Sequence, residues 1–248
     1  MSIFMFIYGT IIGSFLNVCI NRIPKGKSIL YPASHCENCK NKIKIKDNIP
    51  IVGYIKLGGK CRHCNVKIPI QYLLIEFFTG SMFLLLYFKY ELSFEFIKYC
   101  IFICFLIIVA IIDFKTKYVY FNTILTIIFL RIGLFFMEGD KINFIFYNYF
   151  LAGFMPALII CIIILLTNGM GWGDVEVIFI SGVFLGLKHC FLLLFLSFFI
   201  GAIISIILMI TKVKSRKDAI AFVPYIAISS IICVFYGENI IFNIFRII

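Results

Sequence analysis

From Ile70 onward the chain is nearly continuous hydrocarbon, broken only by short polar turns. That pattern excludes most folds. The apolar runs recur at close to the ~20 residues that a bilayer needs. They fall near 70–88, 94–112, 119–137, 144–167, 175–188, 189–211 and 220–236, and another run occupies 3–20. The sequence therefore predicts an all-α polytopic membrane protein with about eight transmembrane helices. The chain is 62% hydrophobic, against about half in soluble domains. The first run lacks a basic lead and a small-residue cleavage site, so it reads as a first membrane helix (1–21) and not as a signal peptide. Gly9, Gly13 and Ser14 give it a small-residue face for close packing, and Asn17 is expected to hydrogen-bond across helices. Ile240 to Ile248 is apolar but too short to span.

The one long polar segment, 22–67, carries eleven Lys/Arg against two acids. Basic residues collect on the cytoplasmic side of membrane proteins. If this segment is cytoplasmic, alternation of eight spans puts 113–118, 168–174 and 212–219 on the same side. That side then holds 17 of the 23 basic residues. Lys212, Lys214, Arg216 and Lys217 read as a positive-inside anchor. Asp113, at the end of the third span, and Asp174, at the start of the sixth, then lie at the same membrane boundary.

Cys36-x-x-Cys39 and Cys61-x-x-Cys64 match the ligand spacing of a four-thiolate zinc site. Gly58 and Gly59 precede the second pair, as turns around a metal require. Four thiolates close the coordination shell, so the zinc would be structural, holding a module too small for a core of its own. A redox or disulfide role is the other reading, and a reducing cytoplasm disfavours it. His35 and His63 are expected at the surface. The remaining cysteines lie in apolar runs as small buried hydrophobes.

An aspartate beside hydrocarbon is costly unless paired, protonated or used. Asp174 follows Gly169, Gly171 and Gly173, whose bare backbone lets another chain approach. Two carboxylates in one site cannot both ionise cheaply, so one keeps a proton while the other stays anionic. That division suits activation of water by one and protonation of a leaving amine by the other. Glu76, within the second span, is a further candidate as an intramembrane acid. Gly-x-Ser-x-Gly and His-Glu-x-x-His do not occur.

Together these residues resemble the bacterial type IV prepilin peptidases, aspartic membrane proteases of the GxGD type. Gly13-Ser14-Phe15-Leu16-Asn17-Val18 with Asn21-Arg22-Ile23-Pro24 is similar to the family's opening, and the double CxxC to its cytoplasmic zinc module. Pro69 through Glu76-Phe77-Phe78-Thr79-Gly80 resembles its Pro-to-Glu-x-x-Thr-Gly segment. Ile112-Asp113 and Gly169-x-Gly171-x-Gly173-Asp174 match its two catalytic aspartates. Ala221-Phe222-Val223-Pro224-Tyr225 is a weaker echo of a late motif. The sequence departs at Glu176, where the family often has Lys, and in the turn after Asp113, which lacks the common proline.

The resemblance implies Asp113 and Asp174 as catalytic residues, with Glu76 and the three glycines as substrate-binding or supporting residues. It implies cleavage of the basic leader of a type IV prepilin or pseudopilin, after a glycine at the cytoplasmic membrane face. The location would be the bacterial cytoplasmic membrane, with residues 22–69 as the zinc module and 70–248 as the peptidase domain. Many members then methylate the new N-terminus with S-adenosylmethionine, and Gly59 is linked to that activity by resemblance alone. The segment 22–67 shows no Gly-rich dinucleotide-like turn. Other readings are a GxGD protease for a different helical substrate and a transporter with a regulatory zinc module. No nucleic-acid partner is expected, because the basic loop lacks a reading helix.

Overall fold

The computed structural model describes residues 1–138, 142–167, 169–212 and 220–247. Its described residues form α1 (Ser2–Arg22), α2 (Val52–Lys56), α3 (Gln71–Tyr90), α4 (Phe94–Thr116), α5 (Phe121–Met137), α6 (Ile142–Thr167), α7 (Trp172–Leu185), α8 (Leu187–Ile210) and α9 (Val223–Ile247), with only isolated bridges for β structure. Each predicted span has its helix. Six of them (α1, α3, α4, α6, α8 and α9) are long and apolar enough to cross a membrane. The apolar α5 has 17 residues, and α7 has 14, about 21 Å of helix.

The differences from the sequence reading lie at helix ends. α4 continues to Thr116, so Asp113 sits in its last turn. The α7–α8 break falls at Gly186, whose φ of +82° suits glycine. The tail from Ile240 to Ile247 is no separate stub. It completes α9, which begins at Val223 with Pro224 in its first turn, where a missing N–H costs nothing. Most of the expected basic anchor, 213–219, lies outside the described residues.

The chain divides into two compact units, Met1–Cys104 and Phe105–Ile248. In the first, α1 and α3 run antiparallel in close contact. A Cβ on Gly9 would lie 2.8 Å from Cα of Gly80, and one on Gly13 2.8 Å from Cα of Glu76. The small-residue face thus does what its composition implied, and Asn17 donates to the Tyr72 carbonyl at 3.1 Å. In the second unit α7 packs against α5, α6, α8 and α9. Its Gly182 lies against α6, where an added Cβ would meet the Ala152 carbonyl. Large apolar side chains such as Phe195 and Phe199 on α8 point outward, as a lipid-facing surface requires.

Candidate active site and metal centre

Gly171 precedes α7 in an extended conformation. Its N–H donates to Oδ2 of Asp174 at 3.0 Å, and its carbonyl accepts from the Asp174 N–H at 3.1 Å. An acid reaching back over the first turn answers both the unpaired N–H groups and the positive helix end. Gly173 is required by packing, because a Cβ there would sit 2.6 Å from Cγ2 of Val119. Val119 belongs to the α4–α5 turn, which Lys117 closes by donating to the Asp113 carbonyl at 2.7 Å.

Asp113 Oδ2 accepts from the Val223 N–H at 3.3 Å, at the start of α9. The end of α4 and the beginnings of α7 and α9 therefore converge, and each carboxylate satisfies a backbone donor at a helix N-terminus. Asp113 is 5% exposed and Asp174 7%. The two acids singled out from sequence thus lie in one unit, on helix ends that converge. The contribution of Val223 was missed. Its only sequence signal was the late Ala221–Tyr225 stretch, and a backbone N–H leaves no mark on residue type.

The other candidates take different places. Gly169 donates to the Thr167 hydroxyl at 3.2 Å. A Cβ at Gly169 or Gly171 would meet nothing but the side chain of Thr167 or Asp174 respectively. Trp172, at the first turn of α7, is 60% exposed. Glu76 lies in the first unit, 7% exposed, and its Oε2 accepts the Ile51 N–H at 2.7 Å. Ile51 has φ +62°, a conformation that β-branched residues avoid.

The four cysteines come together in the same unit, all four Sγ atoms lying within 4.8 Å of one another. Cys36 and Cys64 are 3.8 Å apart, and Cys39 and Cys61 3.9 Å. Tetrahedral thiolates at ~2.3 Å from a zinc ion would be about 3.8 Å apart, so the cluster could hold such an ion. The two halves are built alike. The Cys36 N–H bonds the Asn41 carbonyl at 3.0 Å and the Cys61 N–H the Val66 carbonyl at 2.9 Å. Lys40 and Asn65, four residues after the first cysteine of each half, both have positive φ. The repeat is visible in sequence as Cys-x-x-Cys-x-x-Lys-Ile at 36–43 and 61–68, beyond the cysteine spacing alone.

Around the cluster, backbone hydrogen bonding by Val66 pushes the Cys64 thiol down to about 6. Arg62, inside the second knuckle, binds Asp47 through two hydrogen bonds of 2.5 and 2.7 Å and holds that carboxyl below its usual range. Gly59, at φ +67°, faces Tyr54, whose hydroxyl a Cβ would approach to 3.0 Å.

The bacterial peptidase A24 N-terminal domain matches residues 7–90, and the type IV leader peptidase family matches 100–206. A protein of Bacillus subtilis (strain 168) called prepilin leader peptidase/N-methyltransferase is 31% identical over 242 residues, which cover 96% of this chain and 95% of the relative. The chain belongs to the type IV leader peptidase family. Relatives of the same description in Neisseria gonorrhoeae and Pseudomonas aeruginosa are 32% and 25% identical, and the matches cover 82% and 89% of their lengths. No solved structure matches. Both family segments fall on the elements just described, the first on α1, the cysteine module and α3, the second on α4 to α8.

Proposed function

We propose that the protein is a prepilin leader peptidase of the bacterial cytoplasmic membrane, with Asp113 and Asp174 as its catalytic pair. One observation carries this reading. Two buried carboxylates from distant parts of the chain sit at converging helix ends, each tied through Oδ2 to a backbone N–H at a helix N-terminus. Among the described residues the Oδ1 atoms are left for water and substrate.

One carboxylate takes a proton from the attacking water, and the other, carrying the shared proton, delivers one to the leaving amine. The backbone N–H bonds hold both groups in orientation through that exchange. The substrate is a type IV prepilin or pseudopilin, cut after the leader's last glycine at the cytoplasmic face. Gly169 and Gly171, which no packing contact demands, are where its extended backbone would approach.

The cysteine module holds zinc in this reading, since four thiolates in tetrahedral reach favour that ion. Cys36, Cys39, Cys61 and Cys64 would be its ligands, and its role is structural. The relatives' names join the peptidase to an N-methyltransferase. Methylation of the new N-terminus, with S-adenosylmethionine as donor, is the second activity proposed, with Gly59 as its linked residue, while Glu76 is kept as a supporting residue of the peptidase. The test is mass spectrometry of a pilin N-terminus after co-expression. The expected product begins at the residue after the leader glycine, one methyl heavier where methylation occurs. An uncut leader would refute the assignment.

A further inference from the structure

Unit one contains a groove of about 850 Å³ that neither the aspartates nor the cysteines use. One wall is α1, through Phe6, Thr10 and Ile11, and the other is the module, through Ile45, Ile49 and Ile51. Small-molecule sites are clefts of ~300–1,000 Å³ with mostly apolar linings, and this groove has that size and lining.

Its depth is set by a hydrogen bond. Ile51 is held by Glu76, which lies five residues into the membrane-spanning α3, about 7–8 Å beyond its first residue. The module thus reaches alongside a membrane helix and does not merely rest above it. Its outer surface fits that place. Leu30 and Ile45 are 85% and 89% exposed, and Val52 and Ile55 on α2 also face outward. Lys44 and Lys46 flank Ile45, and Lys56 follows Ile55, all three exposed. Apolar side chains interleaved with lysines are the composition of a segment that enters an anionic leaflet. The segment's two acids are both paired with cations, Asp47 with Arg62 and Glu37 with Lys25.

We propose that this groove holds an anionic phospholipid, its acyl chain against Phe6, Thr10 and Ile51 and its phosphate at Lys44 and Lys46. The lipid would fill the space between α1 and the module and fix the module at its depth.

The test uses the full-length, metal-loaded protein in nanodiscs, with Ile45→Trp as the reporter in a Trp172→Phe background. A fixed fraction of brominated lipid is supplied as phosphatidylglycerol or as phosphatidylcholine. Quenching at least about twofold stronger with the anionic lipid is expected, falling to parity in Lys44→Gln/Lys46→Gln. Equal quenching by both lipids, or none, overturns the proposal. Loss of quenching on adding a prepilin peptide overturns it too, by giving the groove to substrate. Should the reporter variant not fold, native mass spectrometry of the unsubstituted protein decides. Retention of one phosphatidylglycerol, lost in the double lysine variant, supports the proposal, and no retained lipid refutes it.

Discussion

Asp113 and Val223 lie 110 residues apart, yet the N–H of Val223 donates to Oδ2 of Asp113 at 3.3 Å. The aspartate therefore has two tasks. It presents a buried carboxylate where α4 meets the beginnings of α7 and α9, and it satisfies a buried donor at the first turn of α9, where Pro224 leaves one fewer N–H to answer.

The two tasks separate in substitutions. Asp113→Asn keeps an oxygen that can accept from Val223, so the protein should remain folded in the membrane while leader cleavage falls by at least about 10²–10⁴-fold. Asp113→Ala should lose the same activity and a further ~0.5–2 kcal/mol of stability, the usual cost of removing a helix cap. Thermal unfolding in detergent beside a cleavage assay reads both. Asp174→Asn should be equally inactive, and full cleavage by it would end the two-aspartate mechanism.

The three glycines before Asp174 should not respond alike. Gly173→Ala drives a methyl to 2.6 Å from Val119, which must displace the α4–α5 turn or the start of α7. The expected result is a fall in kcat, partly restored by Val119→Ala. Gly171→Ala meets only the Asp174 carboxylate, at 3.8 Å, and its extended backbone suits any residue. Its melting temperature should stay unchanged. A rise in KM there would place the substrate backbone against Gly171.

The metal site gives a pH-dependent prediction. The Cys64 thiol, held down to about 6 by backbone hydrogen bonding from Val66, is a thiolate near pH 7 in the metal-free module. It should be the first of the four to alkylate with iodoacetamide. Because this thiol is depressed on folding, its contribution to stability is present above the free-cysteine range and is lost as pH falls through about 6. Chelation followed by peptide mapping of the label checks the order. Metal retention measured across the same pH range should fall on the acid side, as protons compete for the ligand.

Most of the fold was legible because membrane helices follow from run length alone, and each of the eight runs has a helix. The ends were less legible. Gly186 breaks the chain through its backbone angle, and α9 outlasts its hydropathy because Arg246 and Asn243 do not stop a helix already under way. The aspartates were found by charge bookkeeping and resemblance. What joins them was not, since Val223 acts through its backbone and Val119 through a missing neighbour at Gly173. The doubled knuckle was written in the sequence at 36–43 and 61–68 and needed only a comparison of the two halves.

Gly59 and Gly58 form a matched pair for the module. Both have positive φ, but a Cβ at Gly59 meets Tyr54 while one at Gly58 meets nothing. Gly58→Ala should cost about 1–2 kcal/mol, the left-handed backbone penalty alone. Gly59→Ala should cost more, because it also presses on the Tyr54 hydroxyl that donates to Ile68 at 3.3 Å. If the module serves methylation, Gly59→Ala yields pilin that is cut but carries less methyl, which intact-mass measurement of the product shows.

Among the described residues of the second unit Arg131 is the deepest charge, 2% exposed. It donates to Glu138 at 2.7 Å and to the Val183 carbonyl at 3.3 Å, and its guanidinium lies 3.8 Å from the Phe135 ring centroid. Val183 is near the C-terminus of α7, so the cation meets the negative end of the helix whose other end carries Asp174. Breaking a buried pair by removing one partner strands the other charge, at a cost of ~3–5 kcal/mol. Arg131→Met should therefore destabilise strongly. Glu138→Gln should cost less, because the Val183 carbonyl and the Phe135 ring still hold the cation. The double variant Arg131→Met/Glu138→Leu should recover much of the loss of Arg131→Met, since no charge is then left buried. A double-mutant cycle on unfolding in detergent measures the coupling. If α7 is anchored through Val183, cleavage by the double variant should remain below that of the unsubstituted protein even where its stability is restored.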